Sequence, residues 1–189
     1  MADSQLMSII GRINPAGPGP DAPLFTAADM AKLAAIPSSE QGLLQVVGDV
    51  SSDENARFIA AGALVEGNWM GWRNDASNRR AVAHVLVNAM AQDPTHNRWG
   101  LPGSFVGPFG KRLLSLGVEA EGELIALLSD SRPLNIEGSQ AATLNSQFKF
   151  RLSALAAWLV ADARHIPWQP SSSPSERDAE IAKLRAGLG

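Results

Sequence analysis

Small polar residues set just ahead of apolar stretches recur along this chain, and they constrain its fold more than any other feature. Thr26 is followed three residues later by Asp29, Ser38 by Gln41, Ser51 by Glu54, and Ser173-Pro174 by Glu176, while Asp75 stands alone. The first turn of a helix leaves backbone amides without partners. A short polar side chain accepts from one of them, and a residue three positions on can bond back. Proline fits the first helical position because its missing amide would be unpaired there anyway. The signals predict helices from Thr26 to Ile36, closed by Pro37, and from Ser38 to about Val47. They predict others from Ser51 through Trp69, from Asp75 to about Gln92, ended by Asp93-Pro94, and from Ser173 to about Ala186.

Apolar spacing supports this reading. Phe58, Gly62, Val65 and Trp69 fall on one stripe, as do Val82, Val85, Leu86 and Ala89, both at helical period. Helices are also expected over about 109–116, with Gly117 as the stop, over about 119–128, and over about 146–163 with Phe148, Leu152, Leu155 and Leu159 as its stripe. The Arg98–Gly110 stretch reads as an ordered loop and Ser129–Asn145 as a long polar connection. No alternating strand pattern stands out. The expected fold is all-α, about eight helices in antiparallel pairs, because the links between partners are mostly short. Asn14–Pro23, NPAGPGPDAP, reads as a linker, and the apolar stretch Leu6–Ile13 before it as a brief helix or swapped arm. The expected organisation is therefore an N-terminal arm and linker over 1–24 and a single helical-repeat domain over 25–189.

Composition excludes several function classes. The net charge is −3, and the adjacent basic pairs are Arg79-Arg80 and Lys111-Arg112. Phosphate backbones and anionic membranes call for clustered cations, so neither nucleic acid nor a membrane surface is an expected partner. There is no cysteine, which rules out disulfides, thiolate metal sites and cysteine nucleophiles. Met1–Ile10 lacks the positive start of a signal peptide, and no apolar run approaches the ~20 residues that span a bilayer. The expected location is cytoplasmic.

The second half resembles bacterial HEAT-like helical-repeat proteins. The stretches that carry the likeness are Trp99-Gly100, GPFGKRLLSLG at 107–117, ELIALLSD at 123–130, IEGSQAATL at 136–144, FKFRLSALAAWLV at 148–160 and SERDAEIAKLRAGL at 175–188. Their order is more telling than any one piece. The resemblance implies an α-solenoid arrangement and a scaffold or protein-binding role. It brings no catalytic residues.

No catalytic constellation is complete. His84, His96 and His165 are the only histidines and show no metal-binding spacing, so no metal or cofactor is expected. Ser104 in GSFVG does not match a nucleophile elbow. The glycines of 103–110 lack the Lys-Ser/Thr of a phosphate loop. Glu119, Glu121 and Glu123 alternate on a helix and diverge. Asp49, Asp53 and Glu54 read as helix-start charges rather than calcium ligands. Lys149 and Arg151 among aromatics are too few cations for single-stranded nucleic acid.

The tryptophans are the sharper signal. Trp69 and Trp72 in GNWMGWRND sit at a helix end, Trp99 follows Arg98 in a loop, Trp168 lies in HIPWQP, and Trp158 is assigned to the core. Tryptophan and arginine together dominate interaction hot spots, yet tryptophans also plug gaps between helices. Glu137, in Glu137-Gly138-Ser139, is a further contact candidate or part of a loop held by its own hydrogen bonds. The leading expectation is a non-catalytic module that binds a protein or peptide through a helix-turn edge of Trp69, Trp72, Arg73, Arg98, Trp99 and Glu137. The alternative is an enzyme or small-molecule binder with an interhelical pocket drawing on Arg98, Glu137, His84 or Arg151.

Overall fold

The computed structural model describes residues 3–15 and 23–188. Most of the predicted linker over 14–23 lies outside them. The described residues form ten α-helices and one small two-stranded sheet, so the chain is mostly helical, as its caps predict. The packing forms two compact units, residues 1–89 and 90–189.

The first unit holds α1 (Ser4–Ile10), α2 (Ala27–Ala35), α3 (Ser39–Gly48), α4 (Glu54–Glu66) and most of α5 (Ala76–Gln92). The stretch before the linker does form a brief helix, and α1 packs on α2, α3 and α4 with Leu6, Ile9 and Ile10 buried. α3 and α4 pack closely, and Leu43, Val46, Val47, Phe58, Ile59 and Leu64 fill the space around them. Full burial of each such side chain stabilises by about 1.5–3 kcal/mol. Ala60, Ala61 and Ala63 are fully buried on α4, so small side chains let neighbouring backbones come close.

The caps sort into hits and corrections. Thr26 and Asp29 form the full reciprocal box, and the Asp75 carboxylate accepts from the Ser77 and Asn78 amides at 2.7 and 3.2 Å. Ser38, in contrast, takes a left-handed conformation (φ 58°) and caps nothing with its side chain. Asp53, not Ser51, caps α4 through the Ala56 amide at 3.1 Å, because Ser51 is engaged by Asp49. α4 ends at Glu66, where the Gly67 amide bonds Ala63 O at 2.8 Å. Trp69 therefore lies beyond the helix, not on its stripe.

The second unit begins with a hairpin the sequence reading missed. β1 (Gly100–Leu101) pairs antiparallel with β2 (Phe105–Val106), placing Gly100 opposite Val106 and Leu101 opposite Phe105. Two residues per strand are too short for alternation to register. α6 (Pro108–Leu114) follows, then α7 (Val118–Ala126) with a 3₁₀ turn at Leu127–Ser129, α8 (Ser139–Phe148), α9 (Leu152–Ala163) and α10 (Pro174–Ala186). α9 is the hub. It is buried at Leu152, Leu155, Leu159 and Val160, and it packs on α6, α7, α10 and the 127–129 turn. Gly107 and Gly110 let this framework close. A Cβ at Gly107 would sit 2.3 Å from Arg98 O, and one at Gly110 would sit 2.3 Å from Trp99 O.

Two expectations fail here for one reason. The helix expected over 146–163 is broken, and the connection expected over 129–145 is half helix, as α8. Lys149 turns left-handed (φ 52°) and its amide closes on Asn145 O at 2.7 Å. The chain then runs beside 130–134. Phe150 O accepts from Leu134 N at 2.9 Å, the Leu152 amide donates to Arg132 O at 2.8 Å, and the Ser153 amide to Asp130 O at 3.0 Å. Tertiary pairing overrides helical spacing. At α10, Ser173 accepts from the Glu176 amide at 3.5 Å as expected, yet Glu176 turns to Ser171 Oγ at 2.7 Å instead of closing the box. Among the described residues no helix is long and apolar enough to cross a membrane.

Candidate functional site

The aromatic residues singled out from sequence are mostly interior. In the first unit Trp72 is 1% exposed, and its backbone amide donates to the Glu40 carboxylate of α3. Arg73 stacks over the Trp72 ring, 4.8 Å from its centre, and donates to Val65 O at 3.0 Å. Trp69 is half-buried and lies against the Gly67 backbone. These residues close the end of α4 onto α3.

In the second unit Trp99 is fully buried, and its indole donates to Asp93 Oδ2 at 2.8 Å. Arg98 shares that oxygen at 3.1 Å, in an ion pair whose side chains are 8% and 5% exposed, and it stacks over Phe109 at 5.0 Å. Neither Trp72 nor Trp99 offers its ring to solvent, since each is spent on packing. Trp158, assigned to the core, is half-buried against Trp168, with ring centres 6.5 Å apart.

Glu137 is exposed, and its backbone is clamped by Asn97 through two reciprocal bonds of 2.8 Å. The loop is held by its own hydrogen bonds, and the carboxylate is free to face solvent. Next to it, His96 is buried. Its backbone amide donates to Asn135 O at 2.7 Å and its Nδ1 accepts from the Asn135 amide at 3.1 Å. Burial holds the imidazole pKa below its ordinary value, against the opposing pull of backbone hydrogen bonds to Asn135 and Met90. His84 belongs to the first unit, is exposed, and bonds Asn88 within α5 at 2.9 Å. The Arg98 guanidinium is turned inward to Asp93, while Glu137 is exposed.

Arg151, one of the sequence candidates, stands at a cavity. A groove of about 630 Å³ opens beside α10, lined among others by Ser129, Ser131, Arg151, Ser153, Asp178 and Arg185. Local structure explains each position. The pairing of 130–134 with 150–153 sets Ser131 beside Arg151 and Ser153. On α10, Asp178, Ile181, Ala182 and Arg185 recur at three- and four-residue steps and so share one face. Leu128 and Ile181 are buried at the groove's base. Arg151 donates to Asp178 Oδ2 at 2.9 Å, with both side chains partly exposed, and Arg185 reaches Ser129 Oγ at 3.4 Å. Asp130 lies nearby, but Arg132 holds it in a fork at 2.6–3.1 Å that lowers its pKa.

Arg177 fixes α10 in place. It is 1% exposed and donates to Ser171 O, Phe148 O and Lys149 O at 2.8, 3.0 and 3.1 Å. It also stacks over Phe150 at 5.0 Å. Sequence reading missed Arg177, Asp178 and Arg185. The available signal was the step pattern on α10, which reads as an ordinary solvated helix face.

The groove offers hydroxyls, two guanidinium groups and an apolar base, while its one carboxylate is engaged by Arg151. Among the described residues no cluster of three or more His, Asp and Glu could hold a metal ion. Comparison with protein families, with characterised proteins and with solved structures finds no match for the chain.

Proposed function

We propose that this protein is a non-catalytic interaction module of HEAT-like helical-repeat type, and that the groove beside α10 receives a peptide segment of a partner protein. One observation carries the reading: the open cavity of about 630 Å³ whose base is apolar and whose rim is polar. Ligand-binding cavities fall at about 300–1,000 Å³, and interfaces combine an apolar centre with a polar rim. The repeat reading is supported by consecutive helices that pack on each other across short links, α3 on α4 and α6 on α7. A cytoplasmic setting belongs to the same proposal. The contact surface moves from the tryptophan turns to α10, because Trp72 and Trp99 are interior.

The test is a titration of ¹⁵N-labelled protein with hexapeptides alternating leucine with glutamate, glutamine or lysine. Shifts concentrated at Ser129, Ser131, Ser153, Ala182 and Arg185 support the reading. Shifts confined to other surfaces, or none with any peptide at millimolar concentration, overturn it.

A further inference from the structure

The groove's charge points to the chemistry of its occupant. The chain as a whole carries −3, yet the groove is lined by two arginines against one aspartate. It is a local reversal of sign. Asp130 does not change that balance, because Arg132 neutralises it in a fork. The first amides of α9 do not supply the positive field either, since Leu152 and Ser153 already donate to Arg132 O and Asp130 O. The guanidinium groups do. Arg185 has a single long contact there, 3.4 Å to Ser129 Oγ, and it is exposed. Arg151 is held by one bond to Asp178, whose side chain is 48% exposed. An exposed pair of this kind is weak and exchanges readily, whereas guanidinium prefers a planar, two-oxygen partner. Ser129, Ser131 and Ser153 add hydroxyl donors on the same rim.

We infer that the groove takes an acidic peptide segment with interleaved apolar side chains, its carboxylates bridging Arg151 and Arg185, and that Asp178 occupies Arg151 until such a segment displaces it. This rests on the interaction reading above and names its partner's chemistry. An extended segment turns alternate side chains to opposite faces, so apolar residues meet Leu128 and Ile181 while acidic neighbours reach the rim. Asp178 then acts as an internal competitor that lowers affinity for weakly acidic segments.

The experiment measures fluorescence anisotropy of labelled hexapeptides alternating leucine with glutamate, glutamine or lysine. The glutamate peptide binds most tightly, and its affinity falls as salt rises. Asp178→Asn tightens that binding by about two- to five-fold, the worth of an exposed ion pair. Arg151→Gln combined with Arg185→Gln weakens it by roughly ten-fold or more. These side chains are exposed, so unchanged circular dichroism and melting temperature establish that the variants fold. Equal affinity for glutamate and glutamine peptides overturns the acidic specificity and leaves the interaction reading standing. Failure of every peptide overturns both. A weaker or unchanged Asp178→Asn variant overturns the competitor role.

Discussion

Replacing Arg177 by alanine tests how the groove is held together. Arg177 has no carboxylate at its tip; three backbone carbonyls, Ser171 O, Phe148 O and Lys149 O, take its guanidinium protons at 2.8–3.1 Å in a site 1% exposed. Burial pulls its pKa below the usual arginine value, without neutralising a group that stays protonated in proteins. Each charge-assisted bond is worth about 1.5–3 kcal/mol. The sum overstates the loss, because one nitrogen serves two carbonyls and the buried cation already carries a desolvation cost. Alanine also leaves a void beside Phe150. A loss of about 3 kcal/mol follows, with an upper limit set by the energy needed to peel α10 from α9 and solvate the carbonyls. Lysine recovers little, since one ammonium cannot span the fork. Chemical denaturation gives the stability change, and amide exchange locates it. Protection should collapse first in α10 and at the Lys149 turn. A stability within about 0.5 kcal/mol of wild type, with α10 protection intact, would refute the anchoring role.

Three further outcomes follow from the same framework. Asp93→Ala strips the buried Arg98 and the Trp99 indole of their shared oxygen, so denaturation should show a loss of about 3–5 kcal/mol; a loss under 1 kcal/mol contradicts it. His96 titrates below its ordinary pKa of about 6.5 because it is buried. The unfolded chain therefore binds the extra proton first: stability is full above pH 6.5 and falls as pH drops from there toward the lower folded pKa. Urea midpoints between pH 7.5 and 5 should decline in wild type and stay flatter in His96→Gln; parallel profiles reject this. Gly110→Ala drives a methyl to 2.3 Å from Trp99 O, costing roughly 1–3 kcal/mol in a thermal melt; an unshifted melting temperature counts against that packing.

Much of the helical framework is legible in the sequence, since caps are local. Thr26-Asp29, Asp75 and Ser173 work where their side chains meet amides two or three residues away. Ser38 and Ser51 fail because a left-handed turn and a competing Asp49 intervene. Those competitors are only a few residues off, yet no pattern of residue types ranks them. The break at Lys149 is set by pairing with 130–134, which helical period does not encode. The tryptophans were visible as residues of consequence, but exposure is decided by what folds over them: Glu40 reaches Trp72 from 32 residues away. The groove was the least legible part. Only Arg151 was among the candidates, because Ser129, Asp178 and Arg185 look like solvated surface until α10 docks beside the 127–129 turn.

The most direct test of this account fills the groove from within. Ala182 lies exposed on the groove face of α10, so Ala182→Trp adds a large ring to the cavity without disturbing the core. The measurement is the affinity of the leucine-glutamate hexapeptide for this variant and for wild type, with melting temperature as the folding control. The predicted result is loss of binding by at least ten-fold at an unchanged melting temperature. Undiminished affinity in the folded variant would contradict the claim that this groove is the protein's contact site.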